Sequence, residues 1–486
     1  MARLTLSSRC LSGRSTPTFI HINKARNMSD NNIASNPTVS ERLAKHILAC
    51  SPEKSPGARA IADRLLLDVS GLCVAARDEL YVKAALASVD GDGPCTVIGF
   101  AQKLGTEGAA FVNGIASHGE DFDDTYEGGP VHAGVVIIPA LLAAAERHQL
   151  SGADLFRGIA VGAELMCRLC KVAPMRIHKA GFHPTAVLGV MGAVAGIGAA
   201  LRLTEKQLVN AFGIAGSMAG GIIEYLADGS WTKRMHPGWA AQSGYRAVRL
   251  ALGGFEGPRT VFEGHHGLFH GFANTLDGNF EAMLQGFGEQ WLWQTIAFKP
   301  YACGTMSHPY IDCARAFRAR GLDAGLIEKI EAETAEGIVH RLWEPLAMKQ
   351  SPPNGYAAKF STPYAIAAGI LRGDAGLVEY DEAVVKDPAL TGLAAKVSYI
   401  IDPANPYPNQ FTGHIRVTMK SGEVFEHRQG FFKGGAENPL SDDDIQRKFY
   451  ANCEYGGMSP AQAAQMQALL AGLLDTTQVD LSKLPV

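Results

Sequence analysis

Residues 109 to 134, AAFVNGIASHGEDFDDTYEGGPVHAG, set three carboxylates (Asp121, Asp123, Asp124), a hydroxyl (Thr125) and two imidazoles (His118, His132) between an apolar helical run and a glycine-rich break. Polar groups this dense beside core-like sequence need partners, because an unpaired buried carboxylate or imidazole is costly. If the helix from Ala109 continues through the acidic run, His118, Asp121 and Thr125 fall three and four apart and share one face, while Asp123 points away. Gly128, Gly129 and Pro130 then stop the helix, and the following loop can fold His132 back towards that face. Two other readings compete. One is a capped helix end with solvated aspartates, the better account of an isolated DFDD; the other is a divalent-cation site, since carboxylates and imidazoles suit such ions. No EF-hand spacing, HExxH or paired CxxC supports a metal.

Three further patches combine basic groups with turn residues. In Lys179 to Thr185, His183 stands where a helix N-terminus favours negative charge, so it can face an anionic group or simply cap the helix. In Trp231 to Gly238, Lys233 and His236 come together if the turn is helical; a surface basic cluster is the alternative, but the flanking sequence is apolar. In Phe298 to His308, Lys299 sits at a change of sequence texture, and domain junctions are favoured places for ligand clefts. Lysines bind carboxylates as point charges, and histidine moves protons near neutral pH. Together these residues fit acid/base work on a polycarboxylate whose negative charge grows in the transition state. No nucleophile elbow or P-loop competes.

The elements that must position these groups are mostly helical. Apolar periodicity begins near Val39 and continues through Ile61 to Cys73. Pro139 reads as a first-turn proline opening Ala140 to Glu146. Ser151 with Asp154 starts a helix over 153–171, and Thr204 with Gln207 caps another. The stretch Ala186 to Leu203 is almost wholly apolar, with Gly189, Gly192, Gly196 and Gly198. No strand pattern precedes it, so a dinucleotide fingerprint lacks its context, and a central buried helix with closely approaching neighbours is preferred over a membrane span. From about Ala297 strand patterns appear: Ile327 to Thr334, Lys396 to Ile401, and a hairpin of His414 to Lys420 with Glu423 to His427. One helix, Ser361 to Leu371, lies among them, and helical sequence returns after Pro439, capped by Ser441 with Asp444.

With 486 residues, 47% hydrophobic and 19% charged, the chain can bury a substantial core in two or three domains or in one large one with an insertion. A net charge of -4 gives no reason to expect nucleic acid as a partner. The nine cysteines are scattered and odd in number, which suits a reducing compartment, and the lone Cys167/Cys170 pair reads as helix thiols. Residues 1–27 carry Arg3, Arg9, Arg14, Lys24 and Arg26, with no acid before Asp30. That is the composition of a mitochondrial transit segment, while a polar tail or a start at Met28 fits equally, so the expected compartment is the cytoplasm or the mitochondrial matrix.

The motifs FVNGxAxHxxDFDDT at 111–125, His132, FHPT at 182–185, TKxMHxGxAA at 232–241 and FKxYxC with His308 at 298–308 resemble the MmgE/PrpD family over roughly residues 38–475. That family includes 2-methylcitrate dehydratases, cis-aconitate decarboxylases and an iminodisuccinate epimerase. The resemblance implies a mainly α fold: a large all-helical domain built from N- and C-terminal segments (38–296 plus 439–475), with an inserted smaller α+β lid domain (297–438), after a tail at 1–37. It also implies a homodimer acting on a small polycarboxylate, with no metal, no cofactor and no nucleic-acid or membrane partner. Carried over, Asp121, Thr125, His132 and His183 are the catalytic candidates, and Lys233, Lys299 and His236 the substrate-binding ones. His132 leads for proton transfer to carbon, Asp121 and Thr125 orient substrate or a neighbouring base, and Asp123 and Asp124 are structural. A lid tyrosine of the family falls near His340 or Arg341. The FHP and TKxMH motifs look closer to the decarboxylase and epimerase branches, so the expected activity is a cis-aconitate decarboxylase-like lyase. The alternatives are a 2-methylcitrate dehydratase-type hydro-lyase, a proton-transfer epimerase or isomerase, and a degenerate carboxylate-binding member of the family.

Overall fold

Side-chain caps mark where the chain enters its helices. Thr38 with Glu41, Thr204 with Gln207, Ser441 with Asp444 and Ser459 with Gln462 each form a reciprocal capping box, satisfying backbone donors that the first helical turn leaves open. The computed structural model describes residues 36–486, so the basic segment 1–27 and Cys10 lie outside the described residues. The described chain is mainly helical, with only small sheets.

The centre is the helix Pro184–Ala200, every residue of which is buried. It packs along Gly152–Leu169 and Thr232–Leu252. The small residues make this possible: a Cβ added at Gly196 would lie 2.8 Å from the carbonyl oxygen of Gly158, and one at Gly162 would lie 2.9 Å from that of Gly192. Thr106–His118 crosses Thr232–Leu252 at a similar glycine pair, where a Cβ on Gly114 would fall 2.6 Å from the Cα of Gly238. No helix among the described residues is long and apolar enough to cross a membrane. The cysteines of the described residues, including Cys167 and Cys170, are buried free thiols.

Pro139 departs from its expected place. The helix runs from Gly134 to His148 with the proline inside it. Val135 to Ile138 are completely buried, and their burial extends the helix backwards despite the hydrogen bond that an internal proline forgoes.

Beyond residue 296 the strands form one four-stranded sheet in the order Val397–Ile401, Ile327–Thr334, Gly413–Met419, Val424–Gln429. The first pair is parallel and the others antiparallel. Helices His308–Ala319 and Thr362–Leu371 pack together, the former against the sheet, around a second apolar core that includes Tyr310, Phe317, Trp343, Tyr364 and Ile415. The larger core gathers the helices before residue 299 with those after 439. In particular, Ala58–Ala75 packs against Asp442–Tyr455, so early and late parts of the chain share one interior.

Candidate active site

The helix Thr106–His118 ends at its histidine, and the acidic run beyond it is loop. The expected continuation of the helix through Thr125 is therefore corrected. Asp121 turns the chain with a left-handed φ of 55°, a conformation that aspartate tolerates better than most residues. Its N–H donates to the carbonyl of His118 at 3.1 Å. Thr125 and Tyr126 then pair antiparallel with Ala297 and Ile296, which stitches the loop to the segment carrying Lys299.

Because the helix stops, Asp123 does not point away. Its Oδ2 lies 2.8 Å from Nδ1 of His118 and 3.1 Å from Nδ1 of His132. His132 Nδ1 is also 2.6 Å from the carbonyl oxygen of Asp124. Both neighbours are acceptors, so this nitrogen carries the proton and Nε2 is left to take or give one. The backbone N–H of His132 donates to Thr185 Oγ1 at 3.2 Å, and Asp124 accepts from the N–H of Gly134 at 3.0 Å.

Asp121 is the meeting point of the two lysines. Lys233 reaches its Oδ2 at 2.9 Å and Lys299 its Oδ1 at 2.9 Å, with Lys299 also donating to the Asp121 carbonyl at 2.7 Å. Lys233 stands in the first turn of Thr232–Leu252, so His236 follows one turn later. The Nδ1 atoms of His236 and His183 are 3.0 Å apart, which requires that one donate and the other accept. His183 is the N-cap residue of Pro184–Ala200, yet its side chain does not cap the helix; the ring faces His236 instead. Ring centroids of His118 lie 5.0 Å from His132 and 5.8 Å from His183, so four imidazoles form one cluster.

The charges sort by environment. Burial works against ionisation of Asp121 and Asp123, but Lys233 and Lys299 around the first, and His118 and His132 around the second, hold both carboxyls well below the usual range. Burial and the adjacent Asp123 push Asp124 up to about 7. Burial lowers His118 and His236 to about 4 each and His183 well below its ordinary value. His118 is thus neutral near pH 7 and donates Nδ1–H to an ionised Asp123, while its buried Nε2 has no hydrogen-bond partner.

His118, Asp123 and His132 are also a group whose donor atoms, all within 4.8 Å of one another, could hold a metal ion. An ion bound through the Nδ1 atoms would need a lone pair on each, whereas the Asp124 carbonyl facing His132 Nδ1 calls for a proton on it. The donor set fits an ion poorly as it stands.

A cavity of about 850 Å³ adjoins the cluster and is lined in part by Tyr225, Arg234, His340, Arg341, Lys359 and Phe360. Two of these touch both regions: the Tyr225 ring is 6.3 Å from that of His183, and Lys233 Nζ is 5.8 Å from the centre of Phe360. His132, Asp121 and Lys299 themselves do not line it.

The structure therefore brings together six of the seven residues singled out in the sequence, Asp121, His132, His183, Lys233, His236 and Lys299, while Thr125 is placed only by its backbone pairing with Ala297. Sequence reasoning missed that Asp123 orients two imidazoles and that Thr185 holds the His132 backbone. The only signal for Thr185 was its place beside His183.

The sequence matches the MmgE/PrpD N-terminal domain over residues 41–281 and the MmgE/PrpD C-terminal domain over 301–475. It is 31% identical over 361 residues to the cis-aconitate decarboxylase of Mus musculus, covering 71% of each chain. With the cis-aconitate decarboxylase of Homo sapiens it shares 30% identity over 358 residues, 71% of this chain and 72% of that one. An Aspergillus terreus cis-aconitate decarboxylase is 29% identical over 341 residues, 66% of this chain and 68% of the relative. Two domain models that together span most of the chain, and relatives that match it across both, make this protein a member of the MmgE/PrpD family.

Proposed function

We propose that this protein is a cofactor-independent lyase that decarboxylates a small tricarboxylate of the cis-aconitate type. The observation that carries the reading is the convergence of two ammonium groups, the buried Lys299 and the partly exposed Lys233, on one carboxylate beside an imidazole whose Nδ1 is fixed by Asp123. Lysines so placed can receive substrate carboxylates as well as Asp121. Lys299 spends two of its three donors on Asp121, whereas Lys233 contacts Asp121 through one, so Lys233 has more capacity for a ligand.

In a substrate of this type the C–C bond to the departing carboxylate breaks and its electron pair becomes a new C=C bond. The existing C=C pair shifts to the next carbon, which takes a proton, so one proton is consumed for each carbon dioxide released. Negative charge spreads onto a remaining carboxylate in the transition state, where Lys233 and Lys299 stabilise it. His132 delivers the proton from Nε2, while Asp123 and the Asp124 carbonyl keep Nδ1–H in place. His183 and His236, neutral and buried, shape the wall next to it, and Asp121 with Thr125 keeps the lysines and loop in register.

The same reading makes residues 297–438 a lid domain over the site, with His340 and Arg341 facing the cavity, and the protein a homodimer, a state that light scattering reads directly. Incubation of the purified protein with cis-aconitate, 2-methylcitrate and an amino-dicarboxylate in deuterated water tests the activity. Release of carbon dioxide from the first is expected. Loss of water from the second would assign a hydro-lyase, label exchange without net loss an isomerase, and binding with no turnover a carboxylate-binding protein.

A further inference from the structure

We propose that Lys448 is a positioning residue for the acid/base histidine: by holding the Phe122 carbonyl it fixes the neighbouring Asp123 carboxylate, on which His118 and His132 are oriented. This inference rests on the reading of the site as the catalytic centre. Three consecutive carbonyls of the loop, those of Glu120, Asp121 and Phe122, each accept from a lysine ammonium: Lys359 at 2.6 Å, Lys299 at 2.7 Å and Lys448 at 2.6 Å. Each ammonium also meets one carboxylate, Lys359 that of Glu120 at 2.5 Å, Lys299 that of Asp121 at 2.9 Å and Lys448 that of Asp68 at 2.7 Å. The three lysine side chains are 3%, 2% and 5% exposed, so this is an interior device.

A loop that needed only its carbonyls satisfied could use water or backbone N–H groups. Burying an ammonium is expensive unless a carboxylate and good hydrogen bonds offset it, and charge-assisted bonds are shorter and stiffer than neutral ones. What the stiffness serves is visible at and just past the held carbonyls: Asp121 in its left-handed conformation, and Asp123 one residue past Phe122. Lys448 comes from the late helix Asp442–Tyr455 and Asp68 from the early helix Ala58–Ala75, so the pair ties the loop to the packed interface between two helices. The ammonium also stands 4.1 Å above the Phe122 ring, a second hold on the same residue. Lys448 donates its hydrogen bond to the Phe122 carbonyl and pairs ionically with Asp68, not with the imidazoles or Asp121, so it acts through the loop.

The test compares the Lys448→Met/Asp68→Asn double variant, which removes both charges together, with Lys448→Arg, which keeps a cationic donor. Turnover of cis-aconitate is measured for each, and the imidazole Nδ1–H signals of 15N-histidine-labelled, substrate-free protein are recorded. For the double variant, with its thermal melt showing a folded protein, kcat falls about 10- to 100-fold with KM within about twofold, as expected for a misplaced proton donor, and the His118 and His132 signals shift or broaden. Lys448→Arg restores most of both. Wild-type kcat in the double variant, or a loss of kcat with unmoved imidazole signals, overturns the proposal. If the unaltered protein turns over no polycarboxylate, the functional reading fails by itself, and the imidazole signals still decide the positioning claim.

Discussion

The carboxylate of Asp123 holds Nδ1 of His118 and of His132 at 2.8 and 3.1 Å, one acceptor oxygen orienting two imidazoles. His132 is held in the tautomer that leaves Nε2 to exchange a proton, whereas His118 is buried and neutral. The difference between the two rings lies in their surroundings, since His132 retains 12% side-chain exposure and His118 none.

Replacing Asp123 with Asn keeps the shape but exchanges a charged acceptor for a neutral amide, which weakens the hold on Nδ1–H of His118 and His132. We expect kcat to drop by about 100-fold or more, the scale of a lost general acid, with KM changed little. His132→Ala should do the same. Steady-state kinetics on both variants checks this, and near-normal kcat in either removes the pair from the mechanism.

Lys233→Met and Lys299→Met should differ. Lys233 contacts Asp121 through one oxygen near the cavity wall, so its loss raises KM by about 10-fold or more, the worth of one ionic hydrogen bond. Lys299 also holds the loop through the Asp121 carbonyl, so its loss lowers kcat and thermal stability as well. Equal effects of the two substitutions on KM alone would contradict the division.

His308 gives a pH signature away from the four imidazoles. Burial lowers it to about 3, so the folded protein keeps it neutral while the unfolded chain binds a proton below about 6.5. The unfolded state therefore binds more protons between about pH 6.5 and 3, and stability falls as pH drops through that window, by up to about 1.4 kcal/mol per pH unit from this residue. Asp124, raised to about 7, works in the opposite direction between about 4 and 7, so the comparison must be a difference. Urea unfolding of wild type and His308→Asn from pH 7 to 4 should show wild type losing more stability, and parallel curves would contradict it.

Activity should survive dialysis against a strong chelator, because the Asp124 carbonyl keeps a proton on His132 Nδ1, the nitrogen that also lies beside Asp123. A loss restored by Zn or Mg would make His118, Asp123 and His132 ligands.

Much of the frame was legible because it is locally encoded. The strand Ile327–Thr334 has the bounds its alternation predicts, and the capping pairs Thr204/Gln207 and Ser441/Asp444 start their helices as expected. Lys233 and His236 could be placed together because they lie three positions apart on one helix. The path of residues 119–125 was not legible. Its turn is held by Lys299, Lys359 and Lys448, which lie 178, 239 and 326 residues away from the carbonyls they bind, and helical periodicity carries no trace of them. The misplacement of Asp123 follows from that one loop, since extending the helix through it rotates the carboxylate away from the imidazoles. Pro139 failed for a related reason, tertiary burial of Val135 to Ile138 outweighing a local signal.

The most direct measurement is the isotopic composition of the product formed from cis-aconitate in deuterated water. A proton delivered by one fixed imidazole gives one equivalent of carbon dioxide and a single deuterium on one face of the protonated carbon, and both form at least about 100-fold more slowly in His132→Ala. Product with deuterium on both faces, or no carbon dioxide from the wild-type protein, would contradict proton delivery by His132 in a decarboxylating site.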